Sequence, residues 1–284
     1  MLYSSGLHGN LNDSDLLYLT KIVYEYSGIN LSSEKQVFIE RKLNRRLLEL
    51  NITTYKEYLK KLFDEEFKNK EIVYLINELT TNKTDFFREP AHFEYIKTNI
   101  VPELFNGEFK HMHKSINIWS AGCSTGEEPY TLAIVFSELL NEYFNLMVNI
   151  FASDISTDVL SKAEKGVYKF EQVEDIPIEI KKKYFLRSRD PEKGLVKVDK
   201  KIREKVKFFR ANLLDGNYGL PHKMDIIFCR NVLIYFDKLT QHKVLQNLLN
   251  NLLKGGYLFL GHSETIMGIS LPIQKVAPTI YRKL

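Results

Sequence analysis

The stretch Asn117-Ile118-Trp119-Ser120-Ala121-Gly122-Cys123-Ser124-Thr125-Gly126-Glu127-Glu128-Pro129-Tyr130 constrains this chain more than any other. A short apolar run passes into small residues and two glycines, and then a helical pattern begins. That order describes a buried parallel strand turning sharply into a helix, with a backbone bare enough for a ligand to approach. It is not GxGxxG. Glu127 and Glu128 stand where a phosphate site would place amide donors and a cation. Carboxylates at a helix N-terminus leave a poor seat for pyrophosphate. They either complement the helix dipole or face a neutral or cationic ligand.

From here the pattern alternates. A strand at 116–120 leads to a helix from 127 to about 142, and a strand at 148–153 ends in Asp154. A strand at 206–210 ends in Ala211-Asn212-Leu213, and one at 224–229 ends in Arg230-Asn231. A helix over 239–253 is closed by Lys254-Gly255-Gly256, and a strand at 257–260 runs into Gly261-His262-Ser263-Glu264. A hairpin-like pair at 273–276 and 279–282 finishes the chain. Strands alternating with helices predict an α/β, doubly wound parallel sheet whose ligand lies beyond the carboxyl ends of the strands. Asp154, at the end of the second strand, is placed to accept hydrogen bonds from both ribose hydroxyls of an adenosine. NAD and S-adenosylmethionine both fit that residue. The missing GxGxxG and the acidic first turn favour the second.

The preceding residues read as helical from 14 to about 80. Ser14 can cap the first helix, Ser27-Gly28 breaks it, and Ser32 or Ser33 opens a second helix to about Leu50. On that helix Ile39, Leu43, Leu47 and Leu50 form an apolar stripe, opposite Arg41, Lys42, Arg45 and Arg46. The basic face is either solvated surface paired with Glu40 and Glu49 or a docking face for an acidic partner. Thr53 or Thr54 starts a third helix, and another spans about 70–79. The domain plan is then a helical domain at 1–80, a linker and connecting helix at 81–115, and a catalytic-type domain at 116–284. About forty residues separate Lys165 from Val206, too many for a plain connection. Short strands at 184–187, 194–198 and 206–209 predict a small antiparallel β insert at about 180–205, with an edge open to an added peptide strand.

At 284 residues, 44% hydrophobic and 27% charged, the chain is of ordinary globular composition. A net charge of +4 gives no general affinity for polyanions and argues against a nucleic-acid enzyme. Two cysteines are too few for a disulfide framework, the first residues do not form a signal peptide, and no apolar run could cross a bilayer. A cytoplasmic protein without direct membrane insertion is expected.

Four segments together resemble the bacterial chemotaxis receptor methyltransferases of the CheR type. They are Ser124-Thr125-Gly126-Glu127-Glu128-Pro129-Tyr130, Phe151-Ala152-Ser153-Asp154-Ile155, Phe228-Cys229-Arg230-Asn231-Val232-Leu233-Ile234-Tyr235-Phe236 and Gly261-His262-Ser263-Glu264. A linker reading Thr80-Thr81-Asn82-Lys83-Thr84-Asp85-Phe86-Phe87-Arg88-Glu89 precedes them, and the match spans nearly the whole chain. The resemblance implies a Rossmann-like methyltransferase sheet and S-adenosylmethionine-dependent methylation of glutamate side chains on the helical bundle of chemoreceptors. It implies a cofactor site lined by Asn82, Thr84, Arg88, one of the pair Glu127 and Glu128, Asp154, Asn212, Leu213, Arg230 and Asn231. Arg88 and Tyr235 match positions beside the reacting groups, and no metal is implied. The basic helix face would meet the receptor, and in some members the insert holds a receptor C-terminal peptide.

A glutamate side chain is ionised at pH 7, so methyl transfer to it needs no general base. His262 is accordingly expected to be structural. Two alternatives stand beside this one. Amine methyltransferases acting on nucleic acid carry (D/N)PPY after the fourth strand, where this chain has Arg230-Asn231-Val232-Leu233. A non-catalytic sensor of the cofactor would bind it without transferring the methyl group.

Overall fold

The computed structural model describes residues 11–31, 36–80, 82–106, 115–139, 147–266 and 268–284. The expected frayed segment at 1–10, the cap at Ser32 or Ser33, the polar break after 106 and the helix end near 142 lie outside them. The chain divides into two compact units, residues 1–81 with 235–240 and residues 82–234 with 241–284.

The first unit is helical: α1 (Asp13–Ser27), α2 (Gln36–Glu49), α3 (Tyr55–Lys61) and α4 (Glu65–Leu79). Asn12, not Ser14, caps α1 by accepting from the Asp15 amide, and Gly28 ends it in the left-handed conformation at φ 73°. Thr54 caps α3, and Asp64 caps α4, which therefore starts a turn and more before the predicted residue 70. Ile39, Leu43 and Leu47 of α2 are buried, as are Ile72, Leu75, Ile76 and Leu79 of α4. Their i, i+4 spacing puts each set on one face, and burying that face supplies most of the stability of helices this short.

The basic face of α2 is less open than its sequence suggests. Arg46 forms a fork on Glu71 of α4, with Nε to Oε1 and Nη2 to Oε2 both at 2.8 Å, and Tyr58 donates to the same carboxylate at 2.8 Å. Lys42 pairs with Glu78 at 2.7 Å and Arg45 with Glu49 at 3.0 Å. A buried carboxylate at Glu71 requires this cation, so Arg46 is a packing residue of the unit and not part of a free surface.

The second unit opens with a helical run in three parts: α5 (Pro90–Tyr95), a π turn at Ile96–Ile100 and α6 (Val101–Asn106). There follow β1 (Ser115–Ala121), α7 (Glu127–Leu139), β2 (Met147–Asp154), α8 (Thr157–Lys165), β3 (Val167–Lys169), α9 (Ile178–Tyr184), β4 (Phe185–Arg187) and β5 (Leu195–Val198). The chain continues through α10 (Lys200–Arg203), β6 (Val206–Arg210), β7 (Met224–Cys229), α11 (Lys238–Asn250), β8 (Leu252–Leu260), β9 (Ile273–Ala277) and β10 (Ile280–Lys283). The seven-stranded sheet has the order β6-β2-β1-β7-β8-β10-β9. Strands β6, β2, β1, β7 and β8 run parallel, and β10 and β9 are antiparallel to their neighbours. The order reverses at β1, so the crevice beyond β1, β2 and β7 is where such a sheet takes a ligand. β1 is buried along almost its whole length, as a central parallel strand must be. Phe228 of β7 and Phe259 of β8 stand opposite each other and stack at 4.3 Å, a pair worth about 0.5–1.5 kcal/mol beyond its buried area.

Two sequence expectations are corrected here. The three-stranded sheet has the order β3-β5-β4, so its third strand is Val167–Lys169, and residues 206–209 belong to the main sheet as β6. Lys254-Gly255-Gly256 lies inside β8 and does not close α11. A Cβ on Gly256 would sit 2.9 Å from the Asp225 carbonyl oxygen, so this glycine permits close strand approach beside a register shift in the β7–β8 pair. No helix among the described residues is long and apolar enough to cross a membrane.

Candidate active site at the strand ends

The β1–α7 turn is tied to β2 before any side chain acts: the Gly122 and Cys123 amides both donate to the Ser153 carbonyl, at 2.8 and 2.9 Å. Gly122 has φ 84°, and a Cβ there would lie 2.4 Å from Val232 Cγ2. Only glycine satisfies both demands. Asp154 then accepts the Ser124 amide on Oδ2 at 2.9 Å and the Ser156 amide on Oδ1 at 3.0 Å. Desolvation raises its carboxyl above the usual range, and these amides oppose the shift. The Ile155 amide acts on it as well, which still leaves acceptor capacity on the carboxylate for a ligand hydroxyl. Ser124 Oγ donates to the Asn82 carbonyl at 2.9 Å, joining the linker to the turn.

Glu127 and Glu128 diverge. Glu128 turns inward, accepting Ser120 Oγ at 2.6 Å and Arg230 Nε at 2.7 Å. Glu127 is buried and has no cation partner among the described residues; it accepts Thr125 Oγ1 at 2.7 Å and Gln172 Nε2 at 3.2 Å. Burial pushes its carboxyl up to about 7, against the pull of the Thr125 hydroxyl. Tyr168 of β3 donates to the Thr125 carbonyl at 2.7 Å and packs edge-on against Phe86 of the linker. The small sheet therefore braces the turn.

The side chain of Arg230 is a buried hub, 3% exposed. Besides Glu128 it donates through Nη1 to the Arg88 carbonyl at 2.6 Å, approaches His92 Nδ1 at 3.2 Å, and lies over the Phe93 and Phe228 rings. Burial, and then the Arg230 charge, hold the His92 imidazole down at about 4, so it stays neutral. Arg88 itself is half-buried and forms no ion pair among the described residues; its Nη1 donates to the Lys83 carbonyl at 3.4 Å.

A buried Glu264 orders the loop after β7. Its carboxylate accepts the amides of Asn231 at 2.9 Å, Val232 at 2.8 Å, Leu233 at 2.7 Å and Gly261 at 2.6 Å. Among the described residues, four of the six non-glycine positions with positive φ, namely Phe87, Glu89, Ser124 and Asn231, fall in these segments. Such conformations cost ~1–3 kcal/mol each and persist where surrounding bonds hold them.

Of the residues singled out from sequence, bonds on Asn82, Arg88, Glu128, Asp154, Arg230 and Asn231 or their immediate neighbours gather them at the strand ends. Thr84 is half-buried in the same linker. Asn212 and Leu213 follow β6, where the Ala211 amide donates to the Asp154 carbonyl at 3.1 Å and Tyr218 fixes the Leu213 carbonyl at 2.7 Å. Tyr235 groups with the helical unit, its carbonyl accepting the Asn30 amide at 2.8 Å. The residues sequence reasoning missed are Glu89, His92, Ser124, Tyr168 and Gln172. Only Glu89 and Ser124 stood inside recognisable segments.

The profile of the CheR methyltransferase SAM-binding domain matches residues 82–281, and that of the CheR methyltransferase all-alpha domain matches residues 14–80. The chain belongs to the CheR methyltransferase family. It is similar to the chemotaxis protein methyltransferase of Borreliella burgdorferi, 37% identical over 98% of this chain and 96% of that one. The chemotaxis protein methyltransferase 2 of Pseudomonas aeruginosa is 38% identical over 94% and 92% of the two chains. The Escherichia coli chemotaxis protein methyltransferase is 35% identical over 95% and 91%. A solved structure of the DszA carbon methyltransferase aligns at 18% identity and a TM-score of 0.37, covering 72% of this chain and 44% of that one.

As a CheR methyltransferase the chain is an S-adenosylmethionine-dependent methyltransferase, and its strand-end residues fit that molecule. The acidic turn has no seat for phosphate, because Glu127 and Glu128 occupy the first turn of α7. Asp154 keeps acceptor capacity for a ribose, and Glu127 offers a carboxylate whose ionised form a nearby sulfonium would favour.

Proposed function

We propose that this CheR methyltransferase esterifies glutamate side chains on the cytoplasmic helical bundle of chemoreceptors, forming glutamate 5-methyl esters in the cytoplasm. The observation that supports this most is Arg88: a half-buried guanidinium with no carboxylate partner of its own among the described residues, on a backbone that Arg230 ties to Glu128 of the acidic turn. It suits an incoming carboxylate, either the acceptor's or the cofactor's.

S-adenosylmethionine, when bound, supplies an electrophilic methyl group on a sulfonium. The chain's own residues align and shield. Asn82, Thr84, Glu127, Asp154, Asn212, Leu213 and Asn231 line the cofactor. Glu128 and Arg230 act from behind them, since their side chains bind each other at 2.7 Å. Arg88 orients the carboxylate. An acceptor glutamate with a pKa of about 4.3 is already ionised, so no residue need take its proton. Turnover at saturating cofactor is then flat between about pH 6 and 9, while cofactor affinity rises as Glu127 ionises. On the helical unit Arg41 and Arg45 form the receptor-docking face. The open edge of β4 is the place for a receptor C-terminal peptide.

Incubation with methyl-labelled S-adenosylmethionine and either receptor cytoplasmic fragments or RNA tests this. Label in the receptor fragment supports the proposal. Label in RNA, or tight cofactor binding with no transfer to any receptor, overturns it.

A further inference from the structure

We infer that Glu89 is a positioning residue for Arg88: its buried carboxylate, set between the His262 amide and the Arg230 guanidinium, locks the backbone that presents the Arg88 side chain. This rests on the proposed placing of Arg88 at the reacting groups.

Glu89 combines features that local stability alone does not favour. Its backbone is left-handed, φ 58° and ψ 66°, in a residue with a long side chain, and Phe87 on the other side of Arg88 has φ 55°. It stands at the N-cap of α5 but makes no side-chain cap bond. Its carboxylate instead crosses to the end of β8, where Oε1 accepts the His262 amide at 3.1 Å. The side chain is only 9% exposed, and Oε2 is a buried oxygen with no hydrogen-bond donor among the described residues. That oxygen lies 3.5 Å from Arg230 Nη1 and 3.4 Å from His92 Nδ1. An unsatisfied buried acceptor and a strained backbone in one residue persist only where the surroundings impose them. Here the surroundings are Arg230, which grips the Arg88 carbonyl from one side, and the His262 amide, which grips Glu89 from the other. Both bonds hold the C-terminal side of Arg88, and on its other side the Phe87 amide donates to Thr131 Oγ1 at 3.1 Å.

A metal ion does not account for the cluster. Glu89, His92 and His262 offer ligand atoms within 4.8 Å of one another. Arg230 Nη1, however, sits 3.2 Å from His92 Nδ1. A cation entering there would meet a buried guanidinium already occupying the same lone pair.

The test compares Glu89→Gln, which keeps size and the His262 bond but loses the charge, with Glu89→Gly, which relaxes φ but loses the carboxylate. Each is made alone and with Arg88→Ala, in the full chain. Both single variants are expected to melt cooperatively and to lose ~10–100-fold in kcat for receptor methylation, as a small misplacement of an aligning group does. Neither should lower activity further in the Arg88→Ala background, since a residue acting only through Arg88 has nothing left to act on. Losses that multiply with that of Arg88→Ala, or wild-type kcat in both single variants, overturn the inference. A readout independent of the receptor is the Arg88 side-chain Nε–H NMR signal, assigned by its loss in Arg88→Lys. It should shift in both Glu89 variants, and an unchanged signal overturns the inference even if the wild-type chain methylates no receptor, an outcome that would by itself remove the proposed function.

Discussion

Arg230 Nη1 donates to the main-chain carbonyl of Arg88 at 2.6 Å, while its Nε binds Glu128 at 2.7 Å. One buried side chain thus ties the loop after β7 to the linker and to the first turn of α7. The site is a set of strand ends joined by bonds between a charged side chain and a backbone group, repeated at Asp154 with the Ser124 amide and at Glu264 with four amides. Charged groups bonded in this way hold position more firmly than neutral ones.

Arg230→Lys should therefore be damaging although it keeps the charge. Lysine cannot reproduce the separated Nε and Nη1 bonds or the stacking on Phe93 and Phe228. Leaving the Arg88 carbonyl without its donor and losing the ring contacts is expected to cost ~1–3 kcal/mol. Urea unfolding should show that loss, and cofactor affinity measured by calorimetry should fall with it. A variant as stable as wild type contradicts the hub.

Glu127 makes stability depend on pH in a fixed direction. Its folded-state value of about 7 lies above the ordinary 4.5, so the folded chain holds this proton more tightly than the unfolded chain. The contribution is full below about pH 4.5 and is lost as pH rises through about 7. Glu127→Gln removes this dependence. Its stability relative to wild type should improve by ~1–3 kcal/mol between pH 5 and pH 8. The opposite shift of His92 is common to both proteins and cancels. A difference independent of pH would contradict the burial of an ionisable Glu127.

The two kinds of arginine on α2 should separate cleanly. Arg46→Ala strands the buried Glu71 carboxylate and should destabilise the helical unit by ~3 kcal/mol. Arg45 is 66% exposed, and Arg45→Ala should leave stability nearly unchanged while raising the KM for receptor fragments. Unchanged KM in an Arg41→Ala, Arg45→Ala double variant would remove this face from receptor docking.

The parts of this molecule legible in sequence are those written in neighbouring residues. The strand, glycines and helix start of 117–130, Asp154 at a strand end, and the i, i+4 stripe of α2 each depend on spacing within one segment. What sequence concealed depends on partners far along the chain. Nothing near Glu128 marks it as the counterion of Arg230, and nothing near Glu71 marks it as that of Arg46. Lys254-Gly255-Gly256 has the composition of a helix stop, yet the close approach of Asp225 requires a glycine inside a strand. Strand β3, only Val167–Lys169, is too short for any periodicity, so the apolar run at 206–209 was the more visible candidate for the insert.

The nature of the bond formed decides the central claim. Receptor fragments labelled by this chain from methyl-labelled S-adenosylmethionine should release the label as methanol in mild alkali, because carboxyl methyl esters hydrolyse there. Label that survives alkali, as on a methylated amine, would contradict glutamate esterification.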